Sequence, residues 1–201
     1  YRRQRQMCIR DSVNGIAFAI IELKRSYVGV SEGIRQTLGN QDKQFIRPFF
    51  STVQLVFAGN DVEGLRYGVI DTPEKYWLAW KEPSDVAGPL DRALLQLCNK
   101  ARFLELIHDF TVFDAGVRKT ARHNQFFGVT AAQERIAKRE GGIIWHTQGS
   151  GKSLTMVWLA KWIREQDGAN RVLLITDRTE LDEQIEGVFK GCLLYTSPSP
   201  R

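Results

Sequence analysis

The sequence has 201 residues, 43% of them hydrophobic and 25% charged, which is the balance of an ordinary globular chain. No apolar run approaches the roughly 20 residues of a membrane-spanning helix, and nothing near the start reads as a signal-peptide core, so a cytoplasmic protein without membrane contact is expected. The net charge of +5 belongs mostly to the ends: residues 1–12 hold four arginines and one aspartate, Arg201 adds one charge, and residues 13–191 carry only +1, so overall charge makes a poor case for nucleic-acid binding.

Residues 1–12, YRRQRQMCIRDS, and 192–201, CLLYTSPSPR, have no hydrophobic period and resemble translated sequencing-adapter sequence. Both are set aside from fold reasoning as non-native. Cys98 is then left alone in a helical apolar pattern, with no disulfide or zinc spacing, and reads as a small packed hydrophobe.

In chain order, Asn14-Gly15 before the apolar run IAFAIIEL predicts a hairpin. SEGIRQTLGN, 31–40, predicts a short helix with Ser31 as its N-cap and Gly39 at its end. STVQLVFAGN, 51–60, and LRYGVID, 65–71, predict two further strands. AGPL, 87–90, is a plausible joint, and leucine spacing predicts one helix over 89–110. From 118 the pattern alternates: helix 121–139, strand 142–146, helix 152–166, strand 171–176, helix 180–190. Such alternation predicts an α/β unit with a parallel sheet and right-handed crossovers.

The stretch GIIWHTQGSGKS, 142–153, carries the clearest chemistry. A buried-type strand ends where glycines begin. Gly149 and Gly151 allow a sharp bend that brings backbone amides close to phosphate oxygens, and with the start of the next helix they form an anion nest. Lys152 can reach β- and γ-phosphates, and the Ser153 hydroxyl can ligate Mg²⁺. Thr147, Gln148 and Ser150 complete the loop. His146 stands where the full phosphate-loop signature has its first glycine. Met156, Val157, Ala160 and Ile163 give the following helix an apolar stripe. The bland alternative is a Gly-Ser turn beside a surface lysine.

IIWHTQGSGKSLTM followed by RVLLITDRTELDEQI closely resembles the restriction (R) subunit of type I restriction-modification enzymes. The resemblance implies the opening of a RecA-like, superfamily 2 helicase-type motor that uses ATP and Mg²⁺. It places Asp177, Arg178 and Thr179 on a motif that contacts the tracked DNA strand. The bland reading of the same residues is a helix start, capped by Asp177 or Thr179. ARHNQFFGV, 121–129, is similar to the element whose glutamine reads the adenine edge, which assigns Gln125 to ATP with Arg122 as a helper. From the residues alone Gln125 reads as a surface helix position.

The resemblance also implies a PD-(D/E)xK nuclease domain ahead of the motor. Within AIIELKRS, Glu22 and Lys24 lie two apart on a strand and so share a face. Carboxylates in such a site hold Mg²⁺, and the lysine steadies developing charge. E-L-K by itself reads as a surface pair. The family's Q-x-x-x-Y element aligns with Gln36, with Asn40 in place of the tyrosine. Its metal-binding aspartate falls on the strand before Asn14-Gly15, inside the segment set aside, and Asp11 lies close to that turn. The expected organisation is a partial nuclease-like domain with helical connector over 13–115, then the first βαβ part of a P-loop motor over 116–191. The implied partners are double-stranded DNA and the modification and specificity subunits. A kinase or clamp-loader-type P-loop ATPase, or an inactive nucleotide-binding fragment, is the alternative, and the 201-residue chain alone is expected to be inactive.

Overall fold

The computed structural model describes residues 8–13, 15–166, 171–175 and 179–192. The chain divides into two compact units, one ending at Ile107 and the other opening at His108. Each mixes helix and strand, as an α/β chain should.

The first unit holds a five-stranded sheet in the order β1 (Cys8–Val13), β2 (Ile16–Leu23), β3 (Leu55–Asn60), β4 (Gly64–Gly68), β5 (Leu78–Ala79). Gly15 sits at φ +81° in the β1–β2 turn, a conformation glycine adopts without strain. β2 and β3 pair in parallel, so the chain must cross over between them. It does so through α1 (Val30–Asn40) and a 3-10 turn at Arg47–Ser51. The other pairings are antiparallel. Every residue of β3 is buried. Gly33 of α1 lies against Ala58, and Leu90 of α2 (Pro89–Leu97) lies against Gly59, so the two helices cover opposite faces of β3. Under α1 the core is built from Ile20, Val30, Ile34, Phe50, Val53, Val56 and Trp77, among others.

Several expectations change here. Residues 8–12, set aside from the sequence, form most of β1; the long apolar β2 offers an unsatisfied edge that they complete. Ser31 is not the N-cap of α1. Gly29 is, with no side-chain cap of its own, and the Glu63 carboxylate from the β3–β4 turn accepts the Val30 N–H at 3.0 Å. The predicted helix 89–110 is two helices, α2 and α3 (Lys100–His108). Cys98 ends α2 and is half-buried, and the Asn99 side chain accepts N–H bonds from Ala101 and Arg102 to start α3. AGPL is the entry to α2, with Pro89 in its first turn.

The second unit holds a hairpin of β6 (Thr111–Asp114) and β7 (Val117–Thr120), then α4 (His123–Ala137), α5 (Lys152–Gln166) and α6 (Thr179–Gly191). No sequence pattern predicts the hairpin; Ala115 and Gly116 turn it with φ of 50° and 81°. The α5 stripe is corrected too: Thr155, Val157, Trp158 and Ala160 are buried, while Met156 and Ile163 are only half so. Trp158 packs near Phe110, which in turn stacks on Phe126 at 4.5 Å.

The predicted strand over 142–146 and the described part of that over 171–176 are extended but belong to no ladder, so the expected parallel sheet is not formed among the described residues. Ile143 and Trp145 are 90% and 88% exposed and Ile144 only 38%. Leu173 and Ile175 likewise stand out farther than Val172 and Leu174. Ile144 lies against Gly128 of α4, while Ile143, Trp145, Leu173 and Ile175 are left bare. A parallel strand draws its hydrogen bonds from neighbouring strands, and here the flanking helices alone are in place.

Candidate functional site

In the first unit, three residues singled out from the sequence converge. Glu22 is 3% exposed near the end of β2. Lys24 extends that strand, its N–H bonded to the Gly59 carbonyl at 2.9 Å. Its ammonium pairs with Glu22 Oε1 at 3.1 Å and donates to Gln36 Oε1 from α1. The Gln36 Nε2 is buried without a hydrogen-bond partner. α1 lies close over the pair: a Cβ on Gly33 would stand 3.4 Å from Lys24 Cγ and 3.6 Å from Glu22 Cγ, in ordinary contact. Asn60 fastens the same corner by donating to the Val28 carbonyl at 2.8 Å. Sequence reasoning missed both Gly33 and Asn60. A glycine inside SEGIRQ, where helix propensity disfavours it, is the one signal available.

The register pairs Asp11 with Ala19 and Cys8 with Glu22, so position 11 is out of phase with position 22. Among the described residues no group of three or more His, Cys, Asp or Glu side chains could hold a metal. Mg²⁺ wants several oxygen ligands, and Glu22 is already paired to Lys24. The described side chains therefore do not by themselves fit the metal expected at Glu22.

In the second unit, two glycines bend the loop before α5. Gly149 and Gly151 take φ of 76° and 85°. Lys152 opens α5, and its ammonium lies on the carbonyls of His146 and Thr147 at 3.3 and 3.1 Å. Ser153 follows, half-buried, in the first turn. An open cleft of about 480 Å³ is lined by Arg122, His123, Asn124, Trp145 and the loop from His146 to Ser150. The buried Ser150 Oγ and His146 Nδ1 have no protein hydrogen-bond partner. These groups suit a polyanionic nucleotide: amides and a cation for phosphate, and spare polar atoms along the wall.

Gln125 is not a surface residue. It is 2% exposed, and both ends of its amide are engaged. Oε1 accepts the Arg122 N–H at 2.8 Å, closing the N-terminal turn of α4, and Nε2 donates to the Gly151 carbonyl at 2.8 Å. It thus ties α4 to the phosphate loop. The His146 ring lies over Gly128, where a Cβ would come within 3.3 Å, so α4 braces the loop at its other end as well. Asp177 and Arg178 lie outside the described residues, and Thr179 is described only as the backbone start of α6.

Residues 12–75 match the family described as type I restriction enzyme R protein N terminus, and residues 124–200 match SWI2/SNF2 ATPase. The chain belongs with the type I restriction R subunits. A type I restriction enzyme endonuclease subunit from Methanocaldococcus jannaschii is 33% identical over 174 residues, covering 81% of this chain and 16% of that protein. Its counterpart in Staphylococcus saprophyticus is 28% identical, covering 88% and 20%, and that of Haemophilus influenzae is 26% identical, covering 89% and 19%. The chain thus spans a fifth or less of these R-subunit relatives. No helix among the described residues is long and apolar enough to cross a membrane.

Proposed function

We propose that this chain carries part of a PD-(D/E)xK nuclease domain and the opening of a RecA-like motor in a cytoplasmic R subunit. That subunit translocates and cleaves double-stranded DNA together with modification and specificity subunits. The observation carrying the reading is the phosphate loop: two glycines at positive φ, Lys152 at the head of α5, and a polar cleft beside them. When bound there, ATP with Mg²⁺ supplies the phosphoryl transfer that drives translocation. Amides of Thr147–Gly151 cradle the phosphates, Lys152 neutralises their charge, and Ser153 offers its hydroxyl to the metal. Gln125 holds the Gly151 carbonyl and is the residue that would read the adenine edge. Asp177, Arg178 and Thr179 contact the tracked strand. In the nuclease half, Lys24 faces the scissile phosphate, Gln36 orients the ammonium, and Glu22 is one member of a carboxylate set that needs a second donor.

Lys152→Ala in the intact R subunit should lower DNA-stimulated ATP hydrolysis by about a hundredfold or more and stop translocation. Glu22→Ala and Lys24→Ala should each stop cleavage and leave ATP hydrolysis largely intact. An ATPase indifferent to DNA would point instead to an unrelated P-loop enzyme, such as a kinase or clamp loader. Cleavage surviving Glu22→Ala would return E-L-K to the surface-pair reading. The 201-residue chain alone should neither turn over ATP nor cut DNA.

A further inference from the structure

We infer that the Lys24 ammonium stands in the place at Glu22 where a divalent cation is expected, so that lysine and metal compete for one carboxylate. The inference rests on the nuclease reading for the cation expected there, and departs from it in what Glu22 does in this chain. Glu22 is a positioning residue that holds the ammonium. The pair is fixed from several sides. The Glu22 side chain is 5% exposed and that of Lys24 17%, with the charges 3.1 Å apart. Glu22 is in register with Ala58 of β3, and the Lys24 N–H is bonded to the Gly59 carbonyl at 2.9 Å. Gln36 Oε1, from α1, accepts from the same ammonium. Lys24 thus has acceptors on two separate elements, and the backbone that carries it is locked into the sheet.

The surroundings suit an ammonium better than Mg²⁺. The cavity beside Glu22 has about 30 Å³ and is walled by Ile20, Ile46, Phe49 and Phe50, with Thr37 and Asn40 as its other polar residues. That is room for about one water. Mg²⁺ keeps several waters in a near-octahedral shell and gives them up reluctantly, so it does not fit this space. A lysine brings its charge on a flexible stem and needs no such shell. A carboxylate buried among apolar walls needs a cation to offset its lost hydration, and Lys24 supplies one from two residues away. A metal arriving at Glu22 must displace an ammonium that two acceptors hold. Its apparent affinity is therefore reduced by the fraction of time Glu22 is released, even where a second carboxylate completes the set.

The test uses the 201-residue chain and the intact R subunit. In the chain, Glu22→Gln, Lys24→Met and the double variant form a cycle read by urea melts. Lys24→Met leaves a buried carboxylate without its cation and should lower the folding equilibrium constant about a hundredfold. The double variant should lose clearly less than the two single variants combined. Mn²⁺ titrations, followed by the electron paramagnetic resonance of the free ion, should give the same curve for the wild-type chain and Glu22→Gln. In the intact subunit without nucleotide, Lys24→Met should bind Mn²⁺ about tenfold more tightly than wild type, and Arg25→Gln, exposed next to it, should match wild type. An additive cycle, a Mn²⁺ site in the chain that Glu22→Gln removes, or unchanged or weaker Mn²⁺ binding in the Lys24→Met subunit would each overturn the inference. The Glu22→Gln titration needs no lysine variant, so it decides the matter if Lys24→Met does not fold. The nuclease reading fails separately: cleavage surviving Glu22→Ala defeats that reading and leaves the cycle as it is, whereas an additive cycle defeats the ion pair and leaves cleavage untouched.

Discussion

At the scale of single residues, the buried amides and carboxylates carry the specific information. Gln125 serves helix and loop at once, so truncating it should cost stability even with no nucleotide present. Gln125→Ala leaves the Arg122 N–H and the Gly151 carbonyl without their partner, a loss of about 1–3 kcal/mol, readable as a lower melting temperature of the intact R subunit without nucleotide. Glu82 gives a pH-dependent case. Burial works to raise its pKa, but hydrogen bonds from Trp80 and Arg102 outweigh that and hold it below its ordinary 4.5. A carboxylate whose folded pKa is depressed adds stability that is fully present above the unfolded value and lost as pH falls through the folded one. As pH falls through 4.5 and on through the depressed folded value, the wild-type melting temperature should therefore fall more steeply than that of Glu82→Gln. Parallel acid profiles for the two would refute the coupling.

At the scale of elements, glycines decide how closely helices approach the sheet. A Cβ on Gly59 would stand 2.8 Å from Leu90 Cδ1 and 2.9 Å from the Gly64 carbonyl oxygen. The side chain could move but the backbone carbonyl could not, so Gly59→Ala should push α2 or the β3–β4 turn out of place and destabilise the unit by about 1–3 kcal/mol. Gly39, in the last turn of α1, has open space around its Cβ position and no positive φ. There the same substitution should stabilise by about 0.4–1 kcal/mol. Urea melts of the two variants should shift in opposite directions, and a common shift would contradict the packing account.

At the scale of the whole molecule, the two units differ in how well their apolar surface is enclosed. The first covers β3 on both faces and completes a five-stranded sheet. The second leaves Ile143, Trp145, Leu173 and Ile175 on segments without a ladder. Exposed apolar extended chain is an aggregation hazard and adds little to offset chain entropy. Expressed separately, residues 108–192 should bind a hydrophobic dye and melt without a sharp transition, while residues 8–107 should melt cooperatively. A sharp calorimetric peak for the second piece would refute this.

Sequence by itself determined what is local. Asn14-Gly15 and the run after it specify a hairpin, Gly149 to Ser153 specify a glycine turn opening a helix, and Glu22 and Lys24 share a face because strands alternate. Each follows from a few neighbouring residues and their backbone preferences. Tertiary structure decided what depends on distant partners. Glu63 caps α1 from 33 residues away, and Gln36 meets Lys24 only because α1 packs over the end of β2. Gln125 reads as surface until Gly151, 26 residues on, buries it. The segments over 142–146 and 171–175 have the composition of strands, yet a strand is completed by the hydrogen bonds of its neighbours, and no local pattern can supply those.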